Sequence, residues 1–150
     1  MSIPPTQKDP FLLSEDQVVA MTAKWLKTEG FRIESARKGH APGVDIIAFN
    51  DKTGERYFVE AKGNIKNDNT SGKQFKSLQI ATHFCVQLWQ ICEVMHRYRE
   101  EPKPRFAIAN PHVPRILNRI EVSKTALKRL PIELIWVTPK KVWSETISGE

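Results

Sequence analysis

The 150-residue chain is poor in cysteine, and its two cysteines show no pattern typical of a zinc site. Cys85 and Cys92 lie seven residues apart in a segment that is predicted to form one helix. At a rise of roughly 1.5 Å per residue, their Cα atoms are about 10 Å apart, which is too far for a disulfide bond between them. We therefore expect both cysteines to be reduced and buried.

Long apolar runs are also missing. No stretch approaches the roughly 20 residues that a membrane-spanning helix needs, and the opening residues MSIPPTQKDPFLL lack the charged and apolar regions of a signal peptide. With 40% hydrophobic and 27% charged residues, the composition is typical of a globular protein. We expect no membrane partner, a cytoplasmic location, an N-terminal arm over residues 1–13 and a single domain over residues 14–150.

Acidic residues are scarce in one part of the chain. Residues 97–141 contain eleven Lys and Arg against four Asp and Glu, whereas residues 1–96 contain twelve against eleven. The formal net charge of +6 is therefore concentrated in the second half. This distribution favours a polyanionic partner, with nucleic acid as the first choice, although a solvated basic surface gives the same pattern.

Eight segments show the periodicity of helices or strands. Ser14 is a plausible N-cap of the first helix, which Gly30 ends. The order is helix, three strands (31–37, 44–50, 55–62), a long helix (73–99), a strand (105–110), a mostly helical stretch (111–130) and a strand (132–138). This order predicts an α/β fold with a central mixed sheet flanked by helices.

The helix over residues 73–99 has two apolar stripes rather than one. We expect the sheet to cover one stripe and a second copy of the chain, in a homodimer, to cover the other. Trp89 and Cys85 are expected in the core, and His83 and His96 are expected to be structural.

The hairpin GVDIIAFNDKTGERYFVEAK, residues 43–62, carries charges on apolar strands. The DKTG turn is centred between Lys52 and Thr53, so residues whose numbers sum to 105 face each other. Asp45 and Glu60 are therefore predicted to be cross-strand neighbours, with Cβ atoms about 5 Å apart. Lys62 lies on the Glu60 face because side chains two apart on a strand share a face.

Two facing carboxylates on partly buried strands repel each other, and burial adds to the cost of each charge. Three arrangements relieve this repulsion: a proton shared by the two carboxyl groups, a structural ion pair with Lys62, or a bound divalent cation. Asp and Glu oxygens suit Mg²⁺, with water and substrate phosphate in the remaining positions. A neighbouring lysine then orients or deprotonates a water and stabilises the phosphate, a combination that suits phosphodiester hydrolysis.

Asp45, a gap of fourteen residues, and then Glu60-Ala61-Lys62 resemble the PD-(D/E)xK nuclease superfamily. The GVDIIAF stretch is especially similar to the Mrr-type restriction and archaeal Holliday-junction resolvase branches. The order of elements up to residue 110 matches the αβββαβ core of the restriction-endonuclease-like fold, to which this chain adds a C-terminal helix and strand.

The resemblance implies a Mg²⁺-dependent DNA endonuclease, with Mn²⁺ as a substitute metal. Asp45 and Glu60 would bind the metal with the Ala61 carbonyl as a further ligand, and Lys62 would position the attacking water. Related nucleases often place a metal-binding Glu on the first helix, where this chain has Val19. Glu15, one turn earlier on the same face, either takes that role or is a first-turn acid that stabilises the helix dipole.

Six residues are predicted to contact nucleic acid. Lys73 and Gln74 begin the long helix just past the site, and a helix N-terminus attracts phosphate. Lys38 and His40 belong to the loop that leads to Asp45. Arg115 and Arg119 belong to a basic set, with Lys124, Lys128 and Arg129, that is spaced for a helical surface. Solvated surface positions remain the alternative for all six.

Three functions are consistent with these residues. The first is the metal-dependent DNA endonuclease. The second is a catalytically inactive nucleic-acid-binding or assembly domain of the same fold, which the missing acid at Val19 favours. The third is an unrelated α/β protein in which Asp45, Glu60 and Lys62 form a structural ion cluster.

Overall fold

In a computed structural model, residues 7–37, 43–68 and 72–147 are described, and they form six strands and three helices. In this part of the chain, no helix combines the length and apolar character needed to cross a membrane. The elements in chain order are α1 Glu15–Thr28, β1 Arg32–Ala36, β2 Ile46–Phe49, β3 Arg56–Ala61, α2 Ser77–Arg97, β4 Pro104–Pro111, α3 Pro114–Leu127, β5 Ile132–Val137 and β6 Val142–Thr146.

The strands form one mixed sheet in the order β1-β2-β3-β4-β5-β6. The pairs β1–β2, β2–β3 and β5–β6 are antiparallel, whereas β3–β4 and β4–β5 are parallel. The predicted αβββαβ core is confirmed. The added C-terminal helix and strand are confirmed as α3 and β5. A sixth strand that was not predicted, Val142–Thr146, turns back along β5.

Helices cover both faces of the sheet. One face packs against α1 through a cluster that includes Val18, Leu26, Tyr57 and Val59. The other face packs against α2 and α3 through a second cluster centred on aromatic and branched side chains. The interior strands β3 and β4 are therefore buried on both sides, which explains why their sequences are apolar at successive positions.

The first helix begins and ends where the sequence predicts. Ser14 is the N-cap, and its side chain accepts a hydrogen bond from the backbone N–H of Gln17, whose own side chain accepts one from the Ser14 N–H. This capping box fixes the direction in which α1 leaves the sheet. Gly30, with φ of 92°, ends the helix in a conformation that L side chains rarely adopt.

The long helix departs from the sequence prediction at its start and in its outer stripe. It begins at Ser77, so Lys73 and Gln74 lie in the loop before it. The placement of Cys85 and Trp89 in the core was wrong: Cys85 is exposed, and Trp89 is 67% exposed. Both cysteines are free, and Cys92 is only partly buried. The buried side of α2 is formed by Ile80, Phe84, Gln87, Ile91 and Val94.

The end of the N-terminal arm is anchored by a buried ion pair. Both carboxylate oxygens of Asp9 accept hydrogen bonds from the Arg115 guanidinium, at 2.8 and 2.6 Å. The Arg115 side chain is 3% exposed and that of Asp9 is 1% exposed. The expectation of Arg115 on a basic helical surface was therefore wrong, because its charge is buried against an acid of the arm.

Candidate active site

The β2–β3 hairpin brings Asp45 and Glu60 together. Ile46 pairs with Val59 and Ile47 with Phe58, so paired residue numbers sum to 105, and the predicted register is confirmed. One residue beyond the last pair, the Asp45 carboxylate (Oδ2) accepts a hydrogen bond of 2.8 Å from the backbone N–H of Ala61. Asp45 is thus fixed by the strand that carries Glu60.

Burial dominates the electrostatics of this carboxyl pair. It raises the pKa of Glu60, and the adjacent Asp45 charge raises that pKa further. Burial also raises the pKa of Asp45, against the opposing effect of the Ala61 N–H. A hydrogen bond between the two carboxyl groups stabilises the form in which they share one proton. A cation at this position would displace that proton.

Lys62 and Glu15 form the second half of the site. The Lys62 ammonium (Nζ) lies 3.3 Å from the Glu15 carboxylate (Oε1), and both side chains are largely buried. Burial raises the pKa of Glu15, while Lys62 lowers it and Asp45 raises it. Glu15 is therefore both a first-turn acid of α1 and a member of the charged cluster.

Gly63 permits this approach of α1 to the end of β3. A Cβ atom at this position would lie against the backbone of Leu13, Ser14 and Glu15. Only glycine leaves room for the helix N-terminus there. The segment after the ExK motif therefore determines where Glu15 stands relative to Lys62.

Gln87 supports the site from behind. Its side chain is fully buried on α2, and its amide Nε2 donates to the backbone carbonyl oxygens of Glu60 at 3.0 Å and Ala109 at 3.2 Å. These bonds connect α2 to β3 and β4 directly behind the carboxyl pair. The Oε1 atom of Gln87 has no hydrogen-bond partner among the described residues.

The donor set fits a cation bound by two carboxylates. Within residues 7–37, 43–68 and 72–147, no three His, Cys, Asp or Glu side chains are grouped to hold a metal ion. Glu15 pairs with Lys62 instead of completing such a group. Mg²⁺ is commonly held by one or two carboxylates, with water and substrate phosphate as the other ligands, so Asp45 and Glu60 suffice for this mode of binding.

The residues predicted to contact nucleic acid are scattered. Lys38 and His40 lie outside the described residues. Lys73 is exposed in the loop before α2. The Gln74 amide oxygen accepts from the backbone N–H of Asp9 at 2.6 Å, and its nitrogen donates to the Gln7 carbonyl at 2.8 Å. Gln74 therefore holds the N-terminal arm.

Arg119, unlike Arg115, lines a crevice next to Lys62 of the candidate active site. It lines a small crevice together with Lys62, His83 and Asn110. It is half-buried, in contrast to Arg115. Of the predicted basic residues on α3, Arg119 is thus the one that the fold brings next to Lys62.

Sequence reasoning missed Asn64 and Gln87. Asn64 is fully buried, and its side chain bonds Leu13, Phe11 and Asp9 of the arm. The burial of Gln87 could have been predicted from the sequence. It is a polar residue on the same helical face as the apolar residues at positions 80, 84, 91 and 94. The role of Asn64 could not be predicted from the sequence, because its hydrogen-bond partners lie more than fifty positions away along the chain.

A comparison with known protein families also indicates a nuclease domain. Residues 13–84, just under half of the chain, match the Mrr_cat family model, described as restriction endonuclease. The matched segment contains α1, the first three strands and the first part of α2, and thus all of Glu15, Asp45, Glu60 and Lys62. No curated protein and no solved structure matches the chain.

The six-stranded mixed sheet with its flanking helices and the family match together define a restriction-endonuclease-like domain. The matched segment, residues 13–84, is that of the Mrr_cat restriction endonucleases, a family of the PD-(D/E)xK nuclease superfamily. The resemblance inferred from the GVD and ExK motifs is therefore confirmed.

Proposed function

We propose that this protein is a Mg²⁺-dependent endonuclease that hydrolyses DNA phosphodiester bonds. Asp45 and Glu60 would hold the metal together with the Ala61 carbonyl, and Lys62 would position the attacking water. The observation that carries the proposal is the hairpin register, which places two buried carboxyl groups opposite each other and next to a lysine. Mn²⁺ is the expected substitute metal.

Each residue has a distinct task in this mechanism. Asp45 and Glu60 would hold the cation once their shared proton has been lost, and the cation would supply a Lewis acid for water activation and for phosphate charge. Lys62 holds the water and offsets charge that develops on the phosphate. Glu15 keeps the Lys62 ammonium in place through their ion pair, and Gln87 holds the backbone of Glu60.

DNA is the substrate that charge and family favour. Members of the matched family are restriction endonucleases, and the excess of positive charge lies in residues 97–141. Arg119 beside Lys62 and Lys73 before α2 are the described basic residues that we assign to phosphate contacts. Lys38 and His40, in the loop before Asp45, are assigned the same role on sequence grounds.

The test is cleavage of labelled DNA by the wild type and by Asp45→Asn. The panel comprises supercoiled plasmid, linear duplex, single strand and four-way junction, each with Mg²⁺, Mn²⁺ or EDTA. Asp51→Asn is the matched control, since it makes the same change in the turn of the same hairpin. The proposal requires metal-dependent cutting that Asp45→Asn abolishes and Asp51→Asn retains. Absence of cutting on every substrate would refute it.

A homodimer is the assembly that we propose. One chain carries one set of Asp45, Glu60 and Lys62, whereas cutting both strands of a duplex takes two. Leu78 and Trp89 are 78% and 67% exposed, and with the exposed Cys85 they form a strip on α2 opposite its buried side. Light scattering of the wild type and of Trp89→Ser tests this face: a dimer that Trp89→Ser dissociates supports it, and a wild-type monomer refutes it.

The second candidate is a non-catalytic nucleic-acid-binding domain. One observation favours it: Val19 is buried in the core at the position where related nucleases often place a metal-binding Glu. Such a protein would bind the DNA panel equally well in EDTA and in Mg²⁺, and its melting temperature would not respond to either metal.

A further inference from the structure

A cavity of about 550 Å³ opens next to the candidate active site. Lys62 and Glu15 belong to its lining, together with residues of the loop that follows β3. Asp45 and Glu60 lie outside it. Its volume is within the range of about 300–1,000 Å³ that is usual for small-ligand pockets. It is therefore large enough to take one nucleotide beside the candidate metal site.

The inner wall of the cavity is apolar and aromatic. Ile65 is 2% exposed and contributes to the floor. The rings of Phe75 and His83 meet edge to face, with centroids 4.5 Å apart. Burial and the nearby Lys62 charge lower the pKa of His83, so its ring is neutral at pH 7. Flat neutral rings of this kind are the usual partners of unstacked bases.

The rim of the cavity is polar, and its charges balance. Lys62 and Lys66 oppose Glu15 and Asp68, so the opening offers no net positive charge to a free phosphate. Asn67 is the fifth polar residue of the rim, and its side-chain oxygen (Oδ1) accepts a 2.9 Å hydrogen bond from the backbone N–H of Asp16. This bond fixes the loop wall to the start of α1. Amide and carboxylate groups in this position suit the edge of an uncharged base.

A base inside a duplex cannot reach such a cavity without leaving the stack. Unstacking and unpairing cost a few kcal/mol, and least for a base that is already unpaired. An enzyme that places one base in this cavity therefore prefers DNA with an unpaired nucleotide next to the bond that it cuts.

We propose that the cavity between Lys62, Phe75 and Asn67 receives one unpaired nucleobase adjoining the scissile phosphate, which makes single-stranded or locally unpaired DNA the preferred substrate. This inference rests on the proposed nuclease function for the position of the phosphate. The base-binding step itself requires no metal and no bond cleavage.

The experiment measures equilibrium binding in EDTA by fluorescence anisotropy, with three duplexes of one sequence. The first is fully paired, the second has one additional unpaired adenine, and the third has an abasic site at that unpaired position. The abasic duplex keeps the flexible backbone and lacks the base. We expect the wild type to bind the unpaired-adenine duplex about tenfold more tightly than the other two, which is within the range of base–aromatic stacking.

Phe75→Ala should remove this preference, and Phe75→Leu, which retains apolar packing, should reduce it. Val122→Ala is the matched control, because Val122 is 70% exposed on α3 and takes no part in the cavity. Melting temperatures of the variants report whether they fold. Equal affinity of the wild type for all three duplexes would overturn the proposal, as would an undiminished preference in both folded Phe75 variants.

Cleavage of the same duplexes in Mg²⁺ separates this inference from the proposed function. Cutting of paired and unpaired DNA at equal rates, with equal affinities, would leave the nuclease standing and refute the base pocket. A tenfold binding preference without cutting on any DNA would refute the nuclease and leave the base pocket standing.

Discussion

The side-chain amide nitrogen of Gln87 lies 3.0 Å from the backbone carbonyl oxygen of Glu60 and donates a hydrogen bond to it. A buried amide on α2 thus holds the strand end that carries a candidate metal ligand. The same nitrogen also bonds the Ala109 carbonyl on β4. The position of the Glu60 backbone therefore depends on a helix that contributes no carboxylate to the site.

Gln87→Leu removes both of these hydrogen bonds while retaining the approximate volume of the side chain. The Ala109 carbonyl still accepts from the Lys62 backbone N–H, so the loss is that of ordinary buried hydrogen bonds, and the free energy of unfolding should fall by about 1 kcal/mol. Urea denaturation measures this loss. Gln90→Leu, the same change at a partly exposed position of α2, should cost less. Equal stability of Gln87→Leu and wild type would contradict the supporting role.

Stability should decrease as the pH rises from about 5 to about 8. Asp45 and Glu60 both have raised pKa values in the folded protein. Above their ordinary values of 3.8 and 4.5, the folded chain therefore holds protons that the unfolded chain has lost, and each increase in pH through this window favours unfolding. Urea midpoints measured across this range in the absence of metal test the direction.

Glu60→Gln should flatten this pH dependence and raise stability at pH 8 by roughly 1–2 kcal/mol, the ordinary scale of single substitutions. Glu34→Gln is the matched control, because Arg56 lowers the pKa of Glu34. That carboxylate stabilises the fold above its ordinary pKa of 4.5 and loses its effect only in acid. A pH dependence that persists in Glu60→Gln would contradict the assignment to the carboxyl pair.

Glu15 and Asp16 provide a matched comparison in the first turn of α1. Both contribute negative charge near the helix N-terminus, and Glu15 also forms a 3.3 Å ion pair with Lys62. Glu15→Gln should lower the cleavage rate about tenfold or more and raise the Mg²⁺ concentration needed for half-maximal cutting. That estimate lies below the roughly 10²–10⁴-fold effect of groups that transfer a proton themselves, because Glu15 acts through Lys62. Asp16→Asn should change both quantities less, because Asp16 acts on Glu15 and Asp45 through its charge alone. Equal losses in both variants would assign Glu15 to the helix dipole alone.

Arg115→Met should destabilise the protein by about 3–5 kcal/mol, because it leaves the buried Asp9 carboxylate without its partner. Asp9→Asn combined with Arg115→Met should recover part of this loss. Arg119→Met, one turn later on α3 and half-buried, should cost about 1 kcal/mol or less. Chemical denaturation of the four proteins decides whether the pair acts in this way.

The same two arginines should differ in DNA binding. Arg119→Met should reduce the slope of log affinity against log salt by about one, as expected for the loss of one phosphate contact. Arg115→Met, measured under conditions where it is folded, should retain the wild-type slope. A lower slope for Arg115→Met would place its guanidinium at the DNA instead of in the core.

Features that depend on residues close together in the sequence could be predicted, whereas features that depend on distant residues could not. The hairpin register depends on a turn and on two strands that adjoin it, so the pairing of positions around Asp45 and Glu60 could be derived by counting. The N-cap at Ser14 is equally local. The burial of Arg115 depends on Asp9, at the far end of the chain, and no periodicity within α3 distinguishes it from Arg119.

Two other errors have physical causes of the same kind. The strand Val142–Thr146 follows only a short turn and is half-exposed at the sheet edge, so its sequence lacks a clear apolar alternation. Cys85 and Trp89 on the outer stripe of α2 were assigned to the core because that stripe is apolar, but both are exposed in the single chain. Apolar periodicity identifies a helix face without identifying what covers it.

The ion pair between Asp9 and Arg115 also has a consequence for the order in which the protein is completed during synthesis. The two residues are 106 positions apart, and a nascent chain emerges from the ribosome with its N-terminus first. Asp9 therefore cannot form its ion pair until more than three-quarters of the chain has been made and Arg115 has emerged. A nascent or prematurely terminated chain that stops before α3 thus carries Asp45, Glu60 and Lys62 with the arm held by Asn64 and Gln74 but without the Arg115 ion pair.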